Sequence, residues 1–277
     1  MSDTKLAING GEKVVKKLGP FPTKIGADEL AEIIDMWQFS DGNKEKIINL
    51  IKKDPSLQGP HLFRYYNPRP SKVAAAEEAM KKLIGTKYCL AVNSCTSALV
   101  ASYRALGIGA GDEVLVPAYT FFATSATVVA SNAIPIIVDV DETLCMDPSA
   151  IKKAITKRTK AIAVVHMRGS AAQMDEIMDI ANKKGISVIE DTAQAGGGSF
   201  KGQPLGSIGT MGCFSFDYYK VIVSGEGGFV TTNDKRLYTR AQNWHDCAAC
   251  WRPDRFAVEG KDEDLFCGEN YRMSETE

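Results

Sequence analysis

From Ser71 onward the chain alternates short β-branched runs with stretches of helical spacing, and this alternation constrains the fold more than any other feature. Strands that alternate with helices build a mostly parallel sheet covered by helices. Ser71 reads as an N-cap, Val73, Glu77, Met80, Leu83 and Ile84 follow at helical spacing, and Gly85 closes the helix. Residues 88–92 then read as a buried strand and residues 96–106 as a helix. Further strands are expected at 113–117, 134–138, 161–166 and 187–190, separated by helices such as 149–155 and 174–184. Residues 211–216 and 228–232 are strand-like but too close together for a helical crossover, so the sheet is expected to turn mixed there.

Residues 1–70 have a different texture. Helix-like stretches at 27–37 and 43–51 lead to a proline-rich connection at 66–70, which suggests an N-terminal arm packing on the main domain or on a partner subunit. Residues 71–277 are expected to form one large domain. At its end, residues 271–277 read as a helix start capped by Ser274, so the natural protein is expected to continue. No internal repeat or low-complexity tract is visible.

The 277 residues, 44% of them hydrophobic, suffice for a full core. Lys and Arg total 33 against 34 Asp and Glu, a formal charge of −1, which gives no electrostatic footprint for nucleic acid or an anionic membrane. The basic run 152–160 reads as the solvated face of a helix. The first 17 residues lack the apolar core of a signal peptide and no run reaches transmembrane length. With seven cysteines, an odd number, this points to reduced thiols and a cytoplasmic protein.

In open α/β sheets ligands bind beyond the carboxyl ends of strands, so the residues following each strand bear the chemistry. After 88–92 comes Asn93-Ser94-Cys95-Thr96-Ser97-Ala98-Leu99, a small polar turn entering a helix whose free N–H groups and dipole suit a phosphate. An ordinary N-cap without ligand would look the same. After 187–190 comes Asp191, and a carboxylate buried at a strand end needs a cationic or donor partner. A protonated pyridine nitrogen is one such partner; a structural Lys or a loop to cap is another. Lys220, in Ser215-Phe216-Asp217-Tyr218-Tyr219-Lys220 and before Gly225-Glu226-Gly227-Gly228, sits among aromatic and aliphatic residues. Partial desolvation there would favour the neutral amine that forms a Schiff base with a carbonyl, whereas most lysines near glycine-rich turns are solvated. Phe121, after 113–117, could stack on a pyridine ring or belong to the core.

Taken together and in order, these segments resemble the DegT/DnrJ/EryC1/StrS family of sugar aminotransferases, pyridoxal-phosphate enzymes of fold type I. The resemblance rests on Leu6-Ala7-Ile8-Asn9-Gly10-Gly11, Gly111-Asp112-Glu113-Val114, Glu190-Asp191-Thr192-Ala193-Gln194, Ser215-Phe216 with Lys220, Gly225-Glu226-Gly227-Gly228 and Asn270-Tyr271-Arg272-Met273. It implies an α/β large domain with a mostly parallel mixed sheet, and pyridoxal 5′-phosphate as cofactor. It implies that Lys220 is the Schiff-base lysine and proton shuttle, Asp191 the pyridinium partner, and Gln194 a donor to the ring's 3-oxygen. Thr96 and Ser215 would hold the phosphate with the backbone amides of Cys95 and Thr96, and Phe121 would stack. Asn270 matches a residue that reaches the neighbour's phosphate across a homodimer interface, so two shared sites are implied. The implied reaction moves an amino group from glutamate or glutamine to a keto-sugar: a nucleotide-linked sugar, a cyclitol ketone or a keto-octulosonate. Such reactions serve secondary metabolism and cell-surface polysaccharides such as lipopolysaccharide. The related dehydratase branch carries histidine at the lysine position, and Lys220 argues against it.

Two departures qualify the resemblance. Cys95 stands where glycine is usual and adds bulk to the turn. Family members are also longer, the extra part forming a smaller C-terminal domain, so a truncated, non-catalytic dimerising or regulatory protein is the alternative reading. Gly107-Ile108-Gly109-Ala110-Gly111-Asp112 follows a helix and precedes a strand, the reverse of a dinucleotide-binding turn. Cys247 and Cys250, with His245 and Cys267, have zinc-like spacing but lack a second Cys-x-x-Cys pair, so no metal is expected; reduced thiols in a substrate-side loop fit better. That loop, residues 244–264, is expected to help select the acceptor. His166, after its strand, could touch substrate or lie in the core.

Overall fold

The computed structural model describes residues 11, 27–54, 71–248 and 267–276. The chain divides into two compact units, Met1–Arg64 and Tyr65–Glu277. In the first, helices α1 (Ala27–Asp35) and α2 (Asp41–Lys53) contact each other. Residues 36 and 37, expected to continue α1, lie instead in a turn that runs to Gln38 at φ 53°. The proline-rich connection 66–70, and residues 1–17 except Gly11, lie outside the described residues.

The second unit opens on α3 (Lys72–Ile84), bounded as its sequence dictates. Ser71 Oγ accepts from the Ala74 N–H at 3.0 Å, and Gly85 ends the helix at φ 75°, a conformation that costs glycine little. There follow β1 (Tyr88–Val92), α4 (Cys95–Ala105), β2 (Glu113–Pro117), α5 (Ala123–Ala130), β3 (Ile134–Val138), α6 (Pro148–Ala154), β4 (Thr159–Val165), α7 (Met174–Lys184) and β5 (Ser187–Asp191). A short hairpin, β6 (Ser199–Phe200) and β7 (Gln203–Pro204), precedes β8 (Met211–Ser215), β9 (Gly228–Thr232) and α8 (Lys235–His245). Seven strands form one sheet in the order β1-β9-β8-β5-β4-β2-β3. Neighbours from β8 through β3 are parallel, while β9 runs antiparallel to both β8 and β1. The sheet thus turns mixed where the spacing expects it, because the link from β8 to β9 contains no crossover helix.

The strands are apolar on both faces, as a helix-covered sheet requires. Val114 and Val116 of β2 join one core cluster with Leu99 and Tyr103 of α4, while Leu115 between them joins Ile177 of α7 on the opposite face. Each such fully buried aliphatic side chain stabilises the fold by about 1.5–3 kcal/mol. Helix α4 is buried along nearly its whole length, which fixes its N-terminus firmly at the carboxyl edge of the sheet.

Three expectations need correction. The basic residues of the run 152–160 are solvent-facing throughout but form a helix face only in part: Lys152 and Lys153 lie in the last turn of α6, Lys157 and Arg158 in a turn, and Lys160 on β4. Ser274 opens no helix among the described residues; a turn follows it at 275–276, and Glu275 instead caps α3 from outside. Its carboxylate accepts from Ser71 Oγ at 2.7 Å and from the N–H groups of Lys72 and Val73 at 2.6 and 3.2 Å. Strand β4 ends at Val165, one residue before His166.

Candidate active site

The turns beyond β1, β2, β5 and β8 converge on one cavity of about 410 Å³. At the first, Ser94 is extended (φ −171°) and its Oγ accepts from the Ser97 N–H at 3.1 Å, while Ser97 Oγ donates to Asn93 Oδ1 at 2.6 Å. These bonds hold the entry to α4, whose leading residues, Cys95 and Thr96, line the cavity. N–H groups in a helix's first turn have no carbonyl within the helix to bond, and the helix dipole favours an anion there. The glycine-rich run sets the wall beside this turn. A β-carbon at Gly228 would collide with the backbone of Ser94 and Cys95, and Gly227 has φ 148°, so both positions need glycine.

Asp191 ends β5 on the cavity wall with 6% of its surface exposed. Its Oδ1 accepts from the Ala193 N–H at 3.2 Å and lies 3.8 Å from Cys95 Sγ; its Oδ2 accepts from Thr124 Oγ1 at 3.0 Å. Burial pushes the carboxyl above its ordinary value, with the Ala193 N–H and the Thr124 hydroxyl pulling the other way. The extra bulk of Cys95 is thus turned inward against Asp191. Burial, and then the nearby Asp191 charge, push the Cys95 thiol well up, so it stays protonated and acts only as a donor to the carboxylate.

Lys220 follows β8, half-buried, with its N–H bonded to Asp217 O at 2.9 Å and its Nζ 6.0 Å from the ring centre of Phe121. Phe121 is 67% exposed: it is a cavity wall, and the core reading fails. Ser215 ends β8 in the same wall, its Oγ accepting from the Asp217 N–H at 3.4 Å. Gln194 lines the cavity too, and its Oε1 accepts from the Arg168 N–H at 3.2 Å. Since a backbone N–H can only meet the amide oxygen, Nε2 is left to donate. Arg168 adopts φ 51°, an unusual conformation for a non-glycine residue, as it makes this bond.

The structure therefore gathers Cys95, Thr96, Phe121, Asp191, Gln194, Ser215 and Lys220 around one space. Asn270 is not among them: it is exposed and bridges to Asp246. His166 is a core residue, fully buried, with Nε2 3.0 Å from Glu190 Oε2 and Nδ1 accepting from the Ala172 N–H at 3.2 Å. Cys250 and most of the loop 244–264 lie outside the described residues, Cys247 and Cys267 are exposed, and no metal-binding cluster occurs among the described residues. Sequence reading missed Thr124, which bonds Asp191 from α5, and the wall residues Asp217, Tyr219 and Glu226. The spacing of Thr120 and Thr124 was the available signal, since their hydroxyls meet at 2.9 Å.

Residues 69–277 match the model of the DegT/DnrJ/EryC1/StrS aminotransferase family. Over 259 residues the chain is 36% identical to the L-glutamine:2-deoxy-scyllo-inosose aminotransferase of Micromonospora echinospora, covering 92% of this chain and 57% of that protein. The aminotransferase of Psychrobacter cryohalolentis superposes with a TM-score of 0.71 at 33% identity, over 86% of this chain and 60% of that one. A Bacillus subtilis structure with bound cofactor PMP superposes with a TM-score of 0.68 at 27% identity, over 94% and 55%. The chain spans about half the length of the curated relatives it matches. Its seven-stranded sheet is that of the fold type I aminotransferases, and the chain belongs to the DegT/DnrJ/EryC1/StrS aminotransferase family.

Proposed function

We propose that the protein is a pyridoxal 5′-phosphate-dependent aminotransferase that carries an amino group from glutamine or glutamate to a keto-sugar or cyclitol ketone. The observation that carries this reading is the convergence of Lys220, Asp191 and the N-terminus of α4 on one cavity. The residues fit the cofactor on their own chemistry. A carboxylate offers about four acceptor positions; Asp191 uses three, on Ala193, Thr124 and Cys95, which leaves one for a ring nitrogen. The first turn of α4 with the hydroxyls of Thr96 and Ser215 suits the phosphate, and Gln194 Nε2 is free to donate to the 3-oxygen.

When bound, the cofactor supplies a carbonyl for the lysine amine and an electron-withdrawing ring. The chain's own residues do the rest. Asp191 would hold the proton on the ring nitrogen, its opposite charge being little screened at a buried position. Phe121 presents a face for stacking. Lys220 Nζ, the amine positioned at the cavity, would take the proton from Cα of the amino donor in one half-reaction and give a proton to the former carbonyl carbon of the acceptor in the other.

Glutamine as donor and an inosose-type acceptor are favoured by the Micromonospora relative, whose name states both. Phe121, Phe122 and Tyr219 are 67%, 78% and 88% exposed, an apolar rim that suits a second copy of the chain, with exposed Asn270 available to the partner's site. The test is turnover: purified protein with cofactor, glutamine and 2-deoxy-scyllo-inosose should yield the amino-cyclitol. Release of no amine product from any keto-sugar or cyclitol, with cofactor bound, would refute the assignment.

A further inference from the structure

We infer that Thr124 and Cys95 are positioning residues that hold the Asp191 carboxylate from both of its oxygens, with Thr120 orienting the Thr124 hydroxyl from the cavity side. The inference rests on the reading of Asp191 as the pyridinium partner. Thr124 has a single proton, and it points at Asp191 Oδ2, 3.0 Å away. The 2.9 Å contact between Thr120 and Thr124 must then have Thr120 as donor. The order of donation is fixed: Thr120 to Thr124 to Asp191. Thr124 is fully buried, and Thr120 lines the cavity. On the other oxygen, the Cys95 thiol is the side-chain donor, 3.8 Å away, beside the Ala193 N–H.

This arrangement has a physical purpose. A buried carboxylate without donors would take up a proton and lose its charge, and a neutral acid holds a pyridinium poorly. Hydrogen bonds to the charged form counter the burial. They also restrict rotation about the carboxylate, so that the remaining lone pair faces the cavity. The titratable groups around Asp191 are Lys220 beyond β8, which favours its charge, His166 beyond β4, whose Nδ1 accepts from the Ala172 N–H, and Cys213 on β8 and Tyr103 on α4. Thr124 and Cys95 contact the carboxylate itself.

The test compares Thr124→Val, Thr124→Ser, Cys95→Ala and Cys95→Ser with wild type and with Asp191→Asn. Two readouts are taken: pyridoxal 5′-phosphate affinity with the pH midpoint of its bound absorbance, and the melting temperature of the apoprotein against pH. We expect Thr124→Val to bind the cofactor about tenfold more weakly, the loss of one hydrogen bond to a charged group. Its absorbance midpoint rises, because a less firmly held ring proton makes the lysine nitrogen more basic. Thr124→Ser and Cys95→Ser restore wild-type behaviour, and Cys95→Ala shows a smaller effect of the same sign. In the apoprotein, the deficit of Thr124→Val shrinks as pH falls and Asp191 takes up its proton; a merely structural role gives a deficit independent of pH. Wild-type affinity and midpoint in both Thr124→Val and Cys95→Ala, with affinity lost in Asp191→Asn, would overturn the inference and leave the cofactor assignment standing. Equal, negligible affinity in wild type and Asp191→Asn would overturn the cofactor assignment, and the apoprotein melts then decide the positioning role alone.

Discussion

Gly228 stands so close to Ser94 that no side chain fits between them, and this contact couples the glycine-rich run after Lys220 to the turn that opens α4. The first residue of β9 and the cap of α4 are therefore one wall. Gly228→Ala is expected to push Ser94 and Cys95 out of register, at a cost of ~1–3 kcal/mol for overpacking. Urea unfolding would measure the loss, and cofactor affinity should fall by more than the stability change explains, since the displaced N–H groups are those proposed to meet the phosphate.

Asp191 gives a pH dependence of definite sign. Its folded-state pKa is raised above the ordinary 3.8, so the folded apoprotein holds this proton where the unfolded chain has lost it. Its contribution to stability therefore falls as pH rises from the ordinary value through the raised one. Asp191→Asn removes that penalty while keeping an oxygen for the Ala193 N–H. We expect the apo variant to melt at a higher temperature than wild type at neutral pH, with the difference vanishing in acid, and to lose cofactor binding. Thermal melts of both apoproteins across pH check this.

Most of the sheet was legible because each strand is short, β-branched and bounded, and α7 matches its expected bounds at both ends. The cavity was legible because strand ends carry chemically distinctive residues such as Asp191 and Lys220. Hydrogen bonds between distant segments were not. Glu275 caps α3 over a separation of 204 residues, and no local pattern at Ser274 announces it. Thr124 was missed for a related reason: its spacing from Thr120 signals a hydroxyl pair, but only the third dimension sets that pair against Asp191.

His166 and Glu190 make a buried latch. Nδ1 accepts from the Ala172 N–H, so Nε2 carries the proton and donates to Glu190, which also accepts from the N–H groups of Gly206, Ile208 and Gly209 at 2.8, 2.7 and 2.6 Å. Glu190→Ala strands all of these donors and should cost at least ~3 kcal/mol. Glu190→Gln, which keeps an acceptor, should cost less. Hydrogen exchange at 206–209 would locate the damage.

The external cap on α3 has its own test. Glu275→Ala leaves the Lys72 and Val73 N–H groups without their carboxylate and should cost about 1 kcal/mol. Because Tyr271 O accepts from the Asn93 N–H at 2.8 Å and Met273 is buried, the same segment also supports the α4 turn. A fall in melting temperature with a parallel loss of cofactor affinity is the expected outcome; Glu275→Gln should recover part of both.

The most direct measurement is on Lys220. The protein is incubated with pyridoxal 5′-phosphate, reduced with borohydride, digested and analysed by mass spectrometry. We expect a visible absorbance band before reduction and the reduced cofactor on Lys220, with neither in Lys220→Ala. Absence of the band, or label spread over surface lysines with Lys220 bare, would contradict the assignment of this cavity as a cofactor site.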